Sequence, residues 1–359
     1  MTVFSMGFFA KILKSANVAA APTAVIGIDV GSSAIKIVEL EERNEVLTLL
    51  TYGEVQLGPY AEEALGSVAK LTPKQQQAAL VDVIRESAAQ ARNAVFAMPL
   101  SASFISSTVI ETTEDADLGP LVRAEARKLI PASLSEVTLD WVELEQLESH
   151  SGRPVLLAAI QNSALDSFKV LLQFAGFTDA PTEIECFSVN RLVSGSEHTV
   201  IMDFGASTTK MYVSQNGVLS RMHRINRGGS HITQAFAQAL EISFDEAEDL
   251  KLTVAEGASE YATLQSLNSK QYNRALREFK QVLQQYSVAT GVTFDTVHVC
   301  GGAAAFVGIH TLIADTLTVE VSPINSFDQV AYPAFMEDTM QHIGPAFAPA
   351  LGAALRMFQ

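Results

Sequence analysis

Four polar positions recur in register along the chain. Asp29, Gly31, Ser33 and Lys36 return at a constant offset of 174 residues as Asp203, Gly205, Ser207 and Lys210. An apolar run precedes each aspartate and another follows each lysine. A further turn, Arg43-Asn44 in one copy and Asn216-Gly217 in the other, leads into a third run at 46–51 and 218–224. Asn-Gly between alternating segments is a strong hairpin signal. A duplicated three-strand meander restricts the fold severely, because it requires two similar domains facing one another.

The chemistry of the repeat explains why a buried strand should end on a carboxylate and resume with a lysine. A tight Gly/Ser turn aims several backbone N–H groups into one concavity, and glycine lets a phosphate approach closely. Lys36 has the opposite strand parity to Ile35 and Ile37, so it faces the turn while they face the core. A point charge there suits β- and γ-phosphates. Two aspartates beside a triphosphate call for a cation, so Asp29 and Asp203 point to Mg²⁺ held largely through water. The other reading makes both aspartates turn residues capping their own hairpins.

Three weaker signals lie elsewhere. Cys300-Gly301-Gly302-Ala303 follows a buried strand, where paired glycines allow close passage of a base or ribose. Gly228 and Gly229 lead into another helix. Glu248 and Lys251 sit at i,i+3 on a helix, either reaching ribose hydroxyls or forming a solvated surface pair.

Composition narrows the field. With 359 residues, the chain has room for two or three domains. A net charge of −16 argues against nucleic acid as the main partner. Cys186 and Cys300, both in apolar surroundings, read as free buried thiols of a reducing cytoplasm. The histidines have no zinc-ligand spacing, and no apolar run reaches the roughly 20 residues of a membrane span. The N-terminus does not read as a signal peptide. Residues 7–14, with Phe8, Phe9, Ile12 and Leu13 on one side, read either as part of a frayed tail or as a weak contact with a membrane surface or partner.

Between the repeats, Thr72-Pro73 starts a helix expected to run to about Ala91. Thr113 and Asp115 are candidate caps for a helix stopping at Pro131. Strands follow in "VTLDWVELEQL" and "RPVLLAAI", with a turn at 149–152, and then a helix at 165–175 closed by Gly176. After the second repeat, helices are expected at 232–240, 244–252 and 273–289, and the glycine pair at 301–302 should open another. The small-residue helix closing the chain reads as a close-packing element.

Assembled in this order, the parts resemble the actin/Hsp70/hexokinase ATPase superfamily. Asp29-x-Gly31-Ser32-x-x-x-Lys36 is similar to its first phosphate loop, and Asp203-x-Gly205-x-Ser207-Thr208-Thr209 to its second. Gly301-Gly302-Ala303 is similar to its adenosine motif, and Ala247-Glu248-x-x-Lys251 to the ribose-contacting helix of the FtsA branch. Over residues 25–358 the chain resembles the PilM family of type IV pilus assembly, including "RAEARKLIPASLSEVTLDWVEL", "GGSHITQAFAQALEISFDEAEDLK" and "PAFAPALGAALR". The resemblance implies an α/β fold of two RNase H-like, actin-like lobes around a nucleotide cleft, with an FtsA-type α+β subdomain inserted in the first.

The implied layout is a flexible tail at 1–23 and a first lobe (1A) at 24–52, 181–198 and the C-terminal helix 345–358. The inserted subdomain (1C) takes 53–180, the second lobe (2A) takes 199–230 and 291–344, and subdomain 2B takes 231–290. The implied role is a cytoplasmic ATP- and Mg²⁺-binding scaffold. It would grip the N-terminal tail of the inner-membrane protein PilN and link the alignment subcomplex to other platform and motor proteins. It would thus lie peripheral to the inner membrane, with self-association left open. Family members commonly carry an acidic stretch ending in Glu-Pro after the insertion. Here it reads Glu183-Ile184-Glu185-Cys186-Phe187, without the proline. Glu185 is the candidate for orienting an attacking water, or else a hydrogen-bonded core-edge carboxylate, so ATP binding with slow or no hydrolysis is the expectation. An FtsA-like membrane filament and a sugar- or acetate-kinase phosphotransferase are the alternatives. The chain ends at Gln359 directly after its packing helix, which sets it apart from the first, and "PTEIECFSVNRL" offers no aspartate base for the second.

Overall fold

Alternating apolar positions on either side of the first polar turn build β1 (Ala24–Val30) and β2 (Ala34–Arg43), which pair antiparallel with Asp29 opposite Lys36. The computed structural model describes residues 23–113, 115–145, 152–178, 180–193, 197–255 and 257–359. The segment 7–14 lies outside these residues, as does most of the turn at 149–152. Asn44 and Glu45, both at positive φ, turn the chain into β3 (Val46–Gln56). Helix α1 (Pro73–Glu86) opens with a Thr72–Gln75 capping box. It stops at Glu86, short of Ala91, because Ala88 adopts φ 55° and the Ala89 N–H closes back on the Ile84 carbonyl at 3.2 Å.

Strand β4 (Asn93–Met98) then returns beside β1, parallel to it. Next come β5 (Ser103–Ile110), α2 (Leu118–Leu129), β6 (Val137–Glu143), β7 (Arg153–Gln161) and α3 (Asn162–Phe174). The cap of α2 is Asp117, which accepts from the Gly119 N–H at 3.0 Å, and neither Thr113 nor Asp115 serves. Burial of Leu118 and Val122 in the local core sets that later start. Strand β8 (Thr182–Ile184) and α4 (Glu185–Arg191) complete the first half.

The second half repeats the meander as β9 (His198–Phe204), β10 (Thr209–Gln215) and β11 (Val218–Ile225). Helices α5 (Gly229–Leu240), α6 (Phe244–Thr253) and α7 (Ser259–Thr290) lead to β12 (Thr296–Cys300). Helix α7 begins well before the expected Asn273, because Leu264, Asn268 and Tyr272 carry its buried stripe upstream through a polar sequence. The glycine pair opens a 3₁₀ turn at Gly302–Ala305, and α8 (Ile309–Leu317) starts only after it. Strand β13 (Glu320–Pro323), α9 (Glu337–Ile343) and α10 (Ala348–Leu355) end the fold.

Two five-stranded sheets result, ordered β3-β2-β1-β4-β8 and β11-β10-β9-β12-β13. The repeat therefore extends beyond the meander to two further parallel strands in each half. Strands β5-β7-β6 form a separate sheet. The segment expected as an insertion, 53–180, thus contains β4 and α1, which belong with the first sheet. The independent sheet begins only at Ser103, since β4 is the parallel neighbour that β1 requires. Helix α10 lies against β1, where a Cβ on Gly27 would overlap the Ala350 carbonyl and stand 2.6 Å from the Ala354 nitrogen. That approach is possible only with small residues on both sides.

Candidate functional site

The two polar hairpins close identically. Gly31 N–H donates to the Ala34 carbonyl at 2.9 Å and Gly205 N–H to the Thr208 carbonyl at 3.0 Å. They face one another across a cleft of about 370 Å³. This cleft is lined by Asp29, Gly31, Ser32, Ser33, Lys36, Glu185, Asp203, Gly205, Ser207, Thr208, Gly229, Glu248, Lys251, Gly301, Gly302 and Ala303. Two candidates stand behind its wall. Thr209 has the opposite parity to Lys210, so its buried hydroxyl donates to the Arg227 carbonyl at 2.7 Å. Gly228 is pressed against the Gly205 and Ala206 carbonyls and donates its N–H to His231 Nδ1 at 3.2 Å.

The two aspartates sit in unlike surroundings. Asp29 is buried and makes no hydrogen bond to a described residue. Burial, with the Glu185 carboxylate nearby, pushes its pKa up to about 7 against the opposing pull of Lys36 and Lys210. Lys36 Nζ stands 3.7 Å from Glu54, its register partner on β3. Asp203 already has a cationic partner: Lys210 Nζ donates to its Oδ2 at 2.9 Å and to Glu185 Oε2 at 2.8 Å, one ammonium shared by two carboxylates. Burial works against that ammonium, but the two carboxylates outweigh it and raise the Lys210 pKa. Glu185 Oε1 accepts the Leu100 N–H at 2.7 Å, so both its oxygens are engaged.

These contrasts test the fit of a cation. A buried carboxylate without a donor gains from a bound positive charge, and Asp29 answers that description. Asp203 does so only if Lys210 gives way. Among the described residues no cluster of three or more acidic, His or Cys side chains forms a ligand cage.

Gly301, at φ 92°, places the chain where a Cβ would strike the Phe204 carbonyl and lie 2.6 Å from Asp203 Oδ1. Lys251 is 1% exposed, donates to Glu248 Oε2 at 2.6 Å and Thr233 Oγ1 at 2.7 Å, and lies 3.9 Å from the centre of the Phe306 ring. Burial lowers its pKa to about 8 despite Glu248. The i,i+3 pair is therefore an internal one rather than a solvated surface contact.

Sequence reasoning passed over several of these neighbours. Glu54 was discoverable from the β2–β3 register. Phe306 and Thr233 had no local signal. Nor did a strap across the cleft mouth, in which Leu65 N–H donates to Asp245 at 2.8 Å while Ala69 N–H holds the Ser32 carbonyl at 3.1 Å. Cys186 and Cys300 are buried and free, as expected. Among the described residues no helix is long and apolar enough to cross a membrane.

The sequence profile of the family described as type IV pilus assembly protein PilM matches residues 27–358. No curated protein matches the chain at a significant level. A solved PilM–PilN type IV pilus biogenesis complex contains a chain 23% identical, with a TM-score of 0.77, covering 93% of this chain and 98% of that one. Ethanolamine utilization protein EutJ of Carboxydothermus hydrogenoformans is 15% identical, with a TM-score of 0.58 and coverage of 97% and 94%. MreB5 of Spiroplasma citri, solved bound to ADP, is 10% identical, with a TM-score of 0.52 and coverage of 94% and 96%. These likenesses establish the two-lobed actin-like fold.

Proposed function

The chain belongs to the PilM family of type IV pilus assembly proteins, and we propose that it is an ATP-binding scaffold whose nucleotide stabilises a partner-gripping conformation. The observation that carries this reading is the pair of in-register Asp–Lys hairpins converging on one cleft. The backbone N–H groups and hydroxyls at 31–33 and 205–208 would cradle the phosphates, with Lys36 adding charge. Gly301, Gly302 and Ala303 would pass under the base, and the Glu248–Lys251 pair would meet the ribose. Mg²⁺, when bound, would screen the phosphate charge, and Asp29 is the side chain placed to hold it through water.

Binding rather than turnover is the better fit to Glu185. A carboxylate that orients water needs a free oxygen, and here the Leu100 N–H and the Lys210 ammonium engage both. The nucleotide would then act by joining the lobes. By likeness to the PilM–PilN complex, the partner would be the N-terminal tail of a PilN-type inner-membrane protein. That partner would bring it to the inner membrane from the cytoplasmic side.

The test is thermal unfolding with and without Mg-ATP. A ligand at about 100 times its Kd adds about 2.7 kcal/mol, and Asp29→Ala or Lys36→Ala should remove that gain. Unchanged melting of the parent protein at millimolar Mg-ATP would end the nucleotide reading. A pull-down with the PilN N-terminal peptide, repeated with and without ATP, tests the partner separately.

A further inference from the structure

The duplicated hairpins carry lysines at matching positions, and both line the cleft, but the charges that meet them differ. Lys36 stands 3.7 Å from Glu54 and faces Asp29 across the β1–β2 register, with no carboxylate oxygen of a described residue in hydrogen-bond contact. Lys210 is 8% exposed and bridges two carboxylates from different elements, Asp203 at the end of β9 and Glu185 at the start of α4. Of the remaining oxygens of this pair, Glu185 Oε1 takes the Leu100 N–H. A divalent ion seeking Asp203 would meet an ammonium already within 3 Å of its Oδ2. Like charges at that range in a buried site exclude one another strongly.

We infer that Lys210 is an internal counter-cation between Asp203 and Glu185, so that the second-lobe side of the cleft meets the nucleotide with one of its two negative charges already offset. This rests on the nucleotide reading above and specifies which half of the site depends on Mg²⁺. Asp29, lacking a donor, remains the metal-dependent half. Without Lys210 two bare carboxylates would face the phosphates, and only a divalent cation could then reconcile the charges. The lysine thus reduces how much ATP affinity depends on Mg²⁺, and it fixes the relative placement of β9 and α4 whether or not nucleotide is bound.

The experiment measures ATP affinity by fluorescence competition, in Mg²⁺ and in EDTA, for the parent protein, Lys210→Arg and Lys210→Met. The affinity ratio between the two conditions should be at least about tenfold larger for Lys210→Met than for the parent. Lys210→Arg, which keeps the charge, should stay within about threefold of the parent. Circular dichroism checks folding. If Lys210→Met does not fold, Lys210→Gln takes its place, because its amide can still donate to the two carboxylates while carrying no charge, and the same increase in the ratio is expected. Equal Mg²⁺ dependence in the parent and a folded charge-removed variant would overturn the inference while leaving nucleotide binding intact. Absence of ATP binding by the parent in Mg²⁺ would overturn the nucleotide reading and this inference together.

Discussion

Replacing Lys251 by methionine isolates the energetic consequence of burying an ammonium beside Phe306 at the cleft. Methionine keeps most of the apolar stem that packs on Phe306 and discards the charge. The Lys251 pKa falls from 10.5 to about 8 because burial outweighs the attraction of Glu248. The native state therefore holds this proton less tightly than the unfolded chain does. Stability rises with pH wherever the unfolded state binds more protons. The parent protein thus carries the full penalty below about pH 8 and sheds it as pH climbs towards 10.5. A difference of that size corresponds to about 3 kcal/mol. Between pH 7 and pH 10 the parent should gain about 2–3 kcal/mol relative to Lys251→Met. Urea unfolding of both proteins without nucleotide, at the two pH values, reads that difference. Titrations shared by the two proteins, such as those of buried Tyr212 and Tyr272, cancel in the comparison. A stability gap that stays constant across this range would refute the assignment of a burial-depressed ammonium.

Three other outcomes follow from particular contacts. Gly301→Ala forces a side chain into φ 92° and against the Phe204 carbonyl, so urea unfolding should show a loss of at least about 2 kcal/mol; a loss below about 0.5 kcal/mol would contradict the close approach. Arg191→Ala removes two donors of buried Glu183, at 2.7 and 2.9 Å, and leaves it the Ser188 hydroxyl at 2.6 Å and Arg356 at 3.6 Å. It should cost about 3 kcal/mol, and adding Glu183→Gln should recover part of the loss if the stranded charge is the cause. Asp245→Ala frees the Leu65 N–H that straps the cleft mouth. Stopped-flow release of a fluorescent nucleotide should then quicken by a few-fold, in line with about 1 kcal/mol for one hydrogen bond; an unchanged rate would show that the strap does not gate exit.

How much of the molecule could be read from its residues depends on which forces leave local traces. Strand parity and turn chemistry do, and the offset of 174 residues already places Asp29 and Asp203 on matching hairpins. Helix limits set by distant packing do not. The upstream half of α7 is rich in Gln, Ser, Asn and Lys, and only the core it meets selects Leu264 and Tyr272 as its buried stripe. Likewise β4 belongs to the first sheet because β1 needs a parallel neighbour, a requirement written in no nearby residue.

The lysines of the repeat show the same limit at the level of chemistry. Lys36 and Lys210 occupy equivalent places, so periodicity alone assigns them one role. Their partners separate them. Opposite Lys36 the adjoining strand offers Glu54 at 3.7 Å, whereas Lys210 finds Glu185 at 2.8 Å, supplied by an element 25 residues upstream that has no counterpart beside Lys36. An equivalent position fixes where a side chain points, and the charges brought to meet it decide whether it serves a ligand or the fold. By that criterion Lys210 is tied to two carboxylates of the cleft wall, whereas under the proposed nucleotide reading Lys36 would be the charge left to face phosphate.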